Sequence, residues 1–137
     1  MEVITDTIID AMLCGISAGL IALAPGVTAP EGVYDGRITN SAASASITTT
    51  FSVETRLEGD TAFADVTGGY VIEHEDDRFT GSIKLWGDLG GGAYCFMYDE
   101  LGPADALHLV FAPDASHFTG KWYIQGNIGG EWTGVRR

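Results

Sequence analysis

The sequence predicts an all-β fold, an eight-stranded antiparallel up-and-down β-barrel with an N-terminal α-helix that caps the barrel. Three observations predict it. An aromatic-Thr-Gly unit occurs three times, at 79–81, 118–120 and 132–134. Short segments with period-two alternation follow one another between turn residues. The chain also has 19 glycines, and an aromatic residue beside a strand glycine lets a sheet bend without losing packing, as a closed barrel requires.

The composition indicates one acidic globular domain that spans residues 1–137. A chain of 137 residues with 45% apolar residues can bury a core of its own. Its net charge of −12 disfavours nucleic acid and membranes as partners, because their phosphates would be repelled. Cys14 and Cys95 lack the spacing of metal ligands, and we interpret both as small buried apolar residues. Together with the lack of an export signal, this predicts a cytoplasmic protein.

Residues 1–25 have the pattern of a helix. Apolar residues recur at every fourth position, at Ile4, Ile8, Met12, Ile16 and Leu20. Pro25 is suited to end such a helix. A signal peptide or a membrane span is the alternative, but the flank is acidic and Asp10 interrupts the apolar run. We therefore expect a helix that lies over the barrel or against a partner.

Residues 32–137 are predicted to form the barrel. In the clearest segment, 46–57, apolar or β-branched residues alternate with polar ones throughout, which predicts one buried and one solvated face. Short, evenly spaced connections favour a meander closed on itself, with room for side chains and one small ligand. The predicted strands are 33–38, 46–57, 62–74, 79–86, 93–98, 106–112, 118–125 and 131–136.

The sequence contains no catalytic motif of known spacing. His74, His108 and His117 are far apart, so neither a metal nor another cofactor is expected. The side chains assigned to the interior are mostly aromatic, which is typical of an apolar ligand pocket, although such rings can also simply fill a small barrel. The predicted substrate-binding residues of the barrel are Phe51, Phe79, Met97, Phe118 and Trp122. Met12 and Ile16 of the helix complete this predicted set.

The sequence leaves open which face of the strand that carries Met97 points into the barrel. Cys95 and Met97 would share one face, whereas Tyr94, Phe96 and Tyr98 would share the other. All five residues are compatible with an interior position, so alternation alone does not choose between the two faces.

The C-terminal residues resemble the closing strands of small β-barrel cyclases of polyketide biosynthesis. The similar stretch contains Trp122-Tyr123, Gly126 and residues 130–137. The resemblance is to the spirotetronate and spirotetramate Diels–Alderases, which are similar to allene oxide cyclase and lipocalin barrels. It implies that the N-terminal helix is a lid and that Trp132, on the last strand, lines the pocket. Trp132 and Tyr70 are the predicted catalytic residues, since an indole N–H or a phenol O–H can activate a substrate carbonyl.

Two classes of function follow from these observations. The first is a cofactor-free cyclase that catalyses an intramolecular 4+2 cycloaddition of a polyene polyketide intermediate, a reaction that needs orientation rather than a nucleophile or a metal. The alternative is a non-catalytic protein, either a lipocalin-like binder of small hydrophobic molecules or a structural protein of a phage or another assembly. A small hydrophobic molecule is the expected partner, and formation of a homodimer is left open.

Overall fold

A computed structural model describes residues 21–22, 30–101 and 103–137. These ranges contain nine strands and one short 3-10 helix, η1 (Pro103–Asp105), between the sixth and seventh strands. The strands are β1 (Ile21–Ala22), β2 (Gly32–Thr39), β3 (Ser44–Glu58), β4 (Thr61–His74), β5 (Asp77–Gly90), β6 (Ala93–Tyr98), β7 (Ala106–Phe111), β8 (His117–Ile124) and β9 (Asn127–Arg136).

Strands β2 to β9 close into an antiparallel barrel. Each strand pairs with the next one in the chain, and pairing of β2 with β9 closes the ring. The predicted eight-stranded up-and-down barrel is therefore confirmed. β1 is an additional strand that pairs with β4, with Ile21 opposite Ala64. The predicted helix lies outside the described residues except at its end, where Ile21 and Ala22 are in a strand instead.

The alternation of β3 does not bury its whole predicted face. Phe51 is buried, but Leu57 is 73% exposed. The reason lies in the pairing, because β2 begins opposite Phe51 whereas β3 and β4 stay paired as far as Glu58 and Thr61. Val53 still packs against the core, but beyond it the strand continues as part of a projecting ribbon, and Leu57 has no barrel interior to face.

The aromatic-Thr-Gly units lie in strands, but the glycines of two of them, Gly81 and Gly134, face a ring from the neighbouring strand. A Cβ atom on Gly81 would lie 2.3 Å from the hydroxyl oxygen of Tyr70, its register partner on β4. A Cβ atom on Gly134 would lie 2.5 Å from the ring of Phe118, its register partner on β8. These glycines make room for cross-strand rings, whereas the sequence analysis assigned them to the aromatic residue of their own unit.

Aromatic rings fill one end of the barrel. The ring centroid of Phe51 lies 5.2–6.0 Å from those of four neighbouring rings, three in edge-to-face geometry and one tilted. The Tyr34 hydroxyl donates to the carbonyl oxygen of Ala115 at 2.5 Å and ties β2 to the β7–β8 turn. We call this cluster the aromatic plug; it consists of Tyr34, Phe51, Tyr94, Phe96, Phe111 and Phe118.

A second, smaller cluster of buried residues lies on the outer face of the barrel sheet. Cys95 and Ala106 are almost completely buried there, with Trp86 and Leu89 packed against them. The burial predicted for Cys95 is confirmed, but Cys95 is not a free thiol. Cys14 lies outside the described residues. Within the part of the chain that the structure describes, no helix is long and apolar enough to cross a membrane.

Candidate functional site

The end of the barrel opposite the aromatic plug is hollow. It contains an open cavity of about 370 Å³, a volume within the range of small-molecule pockets. Four large side chains, which we call the aromatic walls, line its inner part: Tyr70, Tyr98, Trp122 and Trp132. Ile38, Ala45 and Ile72 complete this inner part.

The mouth of the cavity is more polar than its interior. Thr39, Asn40 and Ser44 line it from the side of the β2–β3 turn, and His74 and Phe79 line it from β4 and β5. We call Thr39, Asn40, Ser44 and His74 the polar rim. Asn40, Ser44 and His74 are exposed, and so is 56% of Phe79, whereas the walls are buried or half-buried. The cavity thus combines an apolar interior with a hydrated entrance.

Strand alternation positions the cavity relative to the plug. Inward residues are two positions apart in a strand, so β2 contributes Tyr34 to the plug and Ile38 to the cavity. β6 contributes Tyr94 and Phe96 to the plug and Tyr98 to the cavity in the same way. The same alternation of inward residues therefore places rings in both halves of the barrel. In one half the rings fill the interior, and in the other half they form the walls of a cavity.

Tyr70 is held by a carboxylate from a neighbouring turn. Its hydroxyl donates to Oδ2 of Asp99 at 2.5 Å, and the backbone N–H of Ser82 donates to Oδ1 at 3.1 Å. Burial, followed by the hydrogen bond to the Asp99 carboxylate, raises the pKa of Tyr70 well above its usual range. Asp99 and Glu100 both have positive φ angles, 54° and 58°. Such strained backbone is often found at functional sites.

The other aromatic walls also donate to protein atoms. Trp132 Nε1 donates to Oγ1 of Thr49 at 2.9 Å, and Trp122 Nε1 donates to the carbonyl oxygen of Thr39 at 2.8 Å. Tyr98 donates to the carbonyl oxygen of Tyr123 at 2.5 Å. Burial, with nearby carboxylates, raises the pKa of Tyr98 to about 12. All four wall donors are therefore engaged with protein acceptors.

The structure brings four of the predicted site residues together at the cavity, namely Tyr70, Phe79, Trp122 and Trp132. Two others are placed elsewhere, because Phe51 and Phe118 belong to the aromatic plug at the opposite end. They occupy inward positions, but the sequence does not show how far along the barrel an inward position lies.

The assignment of Met97 to the pocket is wrong. Phe96 and Tyr98 both belong to the interior cluster, so alternation places Met97 on the outer face of β6, and it does not line the cavity. The sequence left open which of the two apolar faces of this strand points inward, and in the structure the face with the larger rings does so. Met12 and Ile16 lie outside the described residues.

Several cavity residues were missed by the sequence analysis. Tyr98 could have been found, since three aromatic residues at alternate positions outweigh Cys95 and Met97 in apolar area. Asn40 and Ser44 could not, because only barrel closure brings the β2–β3 turn over the cavity. In the turn itself, Asn40 Oδ1 accepts hydrogen bonds from the backbone N–H groups of Ala42 and Ala43.

The fold and the site together define a closed up-and-down β-barrel with an aromatic cavity at one end. No family model, no curated protein and no solved structure matches this chain. Among the described residues, no group of three or more His, Cys, Asp or Glu side chains could hold a metal ion.

Proposed function

We propose that this barrel binds a small, largely apolar molecule in its open end and catalyses an intramolecular 4+2 cycloaddition of a polyene polyketide intermediate there. The supporting observation is the cavity of about 370 Å³ between the aromatic walls. Rigid aromatic surfaces can hold a flexible chain in a folded, reactive shape. The choice of reaction rests on the resemblance of the C-terminal residues to polyketide cyclases.

Catalysis in this proposal comes from confinement. The plug closes one end of the barrel, and none of the described residues that line the cavity is Asp, Glu, Lys or Arg. Orientation of reacting groups can contribute up to about 7–11 kcal/mol. Trp132 and Tyr70 already donate to Thr49 and Asp99, so they act here as walls that shape the substrate. Activation of a carbonyl by either donor would require its present bond to break.

The proposal includes the N-terminal helix as a cap over the cavity mouth. β1 is antiparallel to β4, and β4 runs from the plug end to His74 at the mouth. The chain before Ile21 therefore starts on the mouth side of β1. From Ala64, the partner of Ile21, to His74 is about 33 Å of strand, and twenty helical residues span about 30 Å. Removal of residues 1–20 tests the cap. If the helix covers the mouth, a bound ligand should exchange faster in the truncated protein.

The second candidate function is a non-catalytic carrier. The engagement of all four wall donors within the protein favours it, because walls without free donors can hold a molecule without activating it. The oligomeric state and the cytoplasmic location stay predictions.

A cavity-filling substitution with a matched control tests the proposed function. Ala45 lines the cavity, whereas Ser46 is exposed and next to it on β3. Ala45→Phe should fill the cavity and Ser46→Phe should not. Linear polyenes that carry a diene and a dienophile are incubated with each protein, binding is followed by tryptophan fluorescence, and cyclised product is quantified by mass spectrometry.

We expect the unchanged protein and Ser46→Phe to accelerate cyclisation and Ala45→Phe to lose at least about tenfold in both binding and rate. Tight binding without acceleration for every polyene would reject the cyclase and leave the carrier. Equal binding by Ala45→Phe and Ser46→Phe would show that the cavity is not the binding site, and both functions would then be rejected.

A further inference from the structure

The donors of all four aromatic walls are committed, but a tyrosine hydroxyl among them can still accept a hydrogen bond from a bound molecule. A phenol hydroxyl has one donor and two acceptor lone pairs, and Tyr70 uses its donor on Asp99. The hydroxyl oxygen of Tyr70 is thereby polarised by a carboxylate, which strengthens it as an acceptor. A ligand carbonyl that reached the walls would find no uncommitted N–H or O–H among them. A ligand N–H group would find the Tyr70 oxygen.

The charges around the mouth favour a cation on the Tyr70 side. Asp99 stands directly behind Tyr70. The tip of the β4–β5 hairpin, residues 73–79, contributes the lining residues His74 and Phe79. It carries four acids and one arginine: Glu73, Glu75, Asp76, Asp77 and Arg78. On β2, two strands away from β4, the Arg37 guanidinium donates to Oγ of Ser44 at 2.7 Å. The field is therefore asymmetric, with its negative part beside Tyr70.

The walls themselves also attract cations. Two tyrosine and two tryptophan rings surround the inner cavity, and the faces of such rings carry the negative part of the aromatic quadrupole. Organic ammonium groups are bound by aromatic cages of this composition. A carboxylate in the same place would lose its hydration and gain no positive partner from the part of the chain that the structure describes, where no lining residue is Lys or Arg.

We propose that the cavity is selective for an amine, a protonated or N–H-bearing nitrogen on an apolar body, whose nitrogen donates to the hydroxyl oxygen of Tyr70 while Asp99 holds that hydroxyl. This inference deepens the proposed function and rests on it in one respect, that the cavity binds a small molecule. It assigns Asp99, which does not line the cavity, as a positioning residue that acts through Tyr70.

Four ligands with the same naphthyl-ethyl body test the selectivity by isothermal titration calorimetry. They carry a primary amine, a methyl ether, a carboxylate or a trimethylammonium group. We expect the amine to bind at least about tenfold more tightly than the ether and the carboxylate to bind most weakly. The amine should also exceed the trimethylammonium ligand, which has the charge but no N–H.

Asp99→Asn tests the role of the carboxylate, because it keeps a side-chain acceptor for Tyr70 and removes the charge. Tyr70→Phe removes the acceptor oxygen. Both variants should bind the ether with unchanged affinity and the amine no more than about threefold better than the ether. Glu100→Gln is the matched control, because it removes an equal charge from the adjacent residue without removing a partner of Tyr70. It should retain the preference for the amine, also in 0.5 M salt, where long-range attraction is screened.

The outcomes separate the two proposals. If none of the four ligands binds to the folded protein, the cavity is not a container and the proposed function fails together with this inference. If the ether or the carboxylate binds as tightly as the amine, the container stands and the amine selectivity is overturned. If the amine is preferred equally by the unchanged protein, Asp99→Asn and Tyr70→Phe, the assignment of Tyr70 and Asp99 is overturned.

Discussion

The indole N–H of Trp132 donates to the hydroxyl oxygen of Thr49 across an intervening strand, at 2.9 Å. Trp132 is on β9 and Thr49 on β3, and both pair with β2 between them. On β2 the inward position between Tyr34 and Ile38 is Gly36, which has no side chain to block the contact. The bond therefore fixes a cavity wall to a strand two positions away in the barrel.

Loss of this bond should destabilise the barrel. Thr49 is fully buried, so Thr49→Val keeps the shape of the side chain and leaves the Trp132 N–H without its acceptor. An unsatisfied buried donor costs about 1–3 kcal/mol, and we expect the free energy of unfolding, measured in urea, to fall by that amount. Thr50→Val, at the adjacent exposed position, is the control and should change it by less than about 0.5 kcal/mol. Equal stability of the two variants would contradict the structural role of the bond.

The plug and the mouth should respond differently to removal of one phenylalanine ring. Phe51 is 1% exposed in the plug, whereas Phe79 is 56% exposed at the mouth. Phe51→Ala should lower the free energy of unfolding by about 3–5 kcal/mol, because it leaves a cavity among packed rings. Phe79→Ala should lower it by less than about 1 kcal/mol and should weaken the binding of an apolar fluorescent ligand.

Urea titrations and ligand titrations on both variants check this prediction. If Phe79→Ala destabilises the protein as much as Phe51→Ala, the hollow end is packed and the cavity is not open in solution. If Phe51→Ala has little effect, the plug is not the core of the barrel.

Gly81→Ala should disturb the Tyr70–Asp99 pair while the barrel still folds. Its Cβ atom would lie 2.1 Å from Oδ1 of Asp99 and 2.3 Å from the Tyr70 hydroxyl, both of which are side-chain ends that can move. At Gly130, by contrast, the Cβ atom would lie 1.7 Å from the backbone carbonyl oxygen of Thr39. We therefore expect Gly81→Ala to lose about 1–3 kcal/mol and Gly130→Ala to be much less stable.

The pair can be followed directly in the Gly81→Ala protein. Once Tyr70 is separated from Asp99, its pKa should move down from its raised value towards the ordinary range, and NMR titration of the ring measures this. Thr80→Ala, on the exposed side of the same strand, should leave the titration unchanged. An unaltered Tyr70 titration in Gly81→Ala would show that the glycine does not make room for the pair.

Patterns within a strand were enough to predict most of the barrel. All eight barrel strands were found, because turn residues and period-two alternation are local properties of the chain. Tyr70, Trp122 and Trp132 were placed in the interior on the same basis. Met97 was misplaced because its strand is apolar on both faces, so that ring size and packing decide which face points inward.

Relationships between strands were beyond reach of the sequence. The partner of Gly81 is Tyr70 and the partner of Gly134 is Phe118, and only the pairing register selects them. A shift by one residue would select other partners. The division of the interior into a plug and a cavity also depends on register, since register decides which inward residues of different strands lie at the same level of the barrel. For the same reason, the contact between Asp99 and Tyr70 could not be predicted from the sequence.

Alkaline pH should unfold the barrel by ionising buried tyrosines. Burial raises the pKa of Tyr34, Tyr70 and Tyr94 above 10.0, and that of Tyr98 to about 12. A group whose pKa is higher in the folded state binds its proton more tightly there, so its contribution to stability is complete below about pH 10 and is lost as the pH rises through 12. Absorbance at 295 nm and circular dichroism should therefore change together above pH 10. Tyr98→Phe should make the loss of stability with pH less steep, and full ionisation near pH 10 with the β signal intact would show that these hydroxyls are in contact with water.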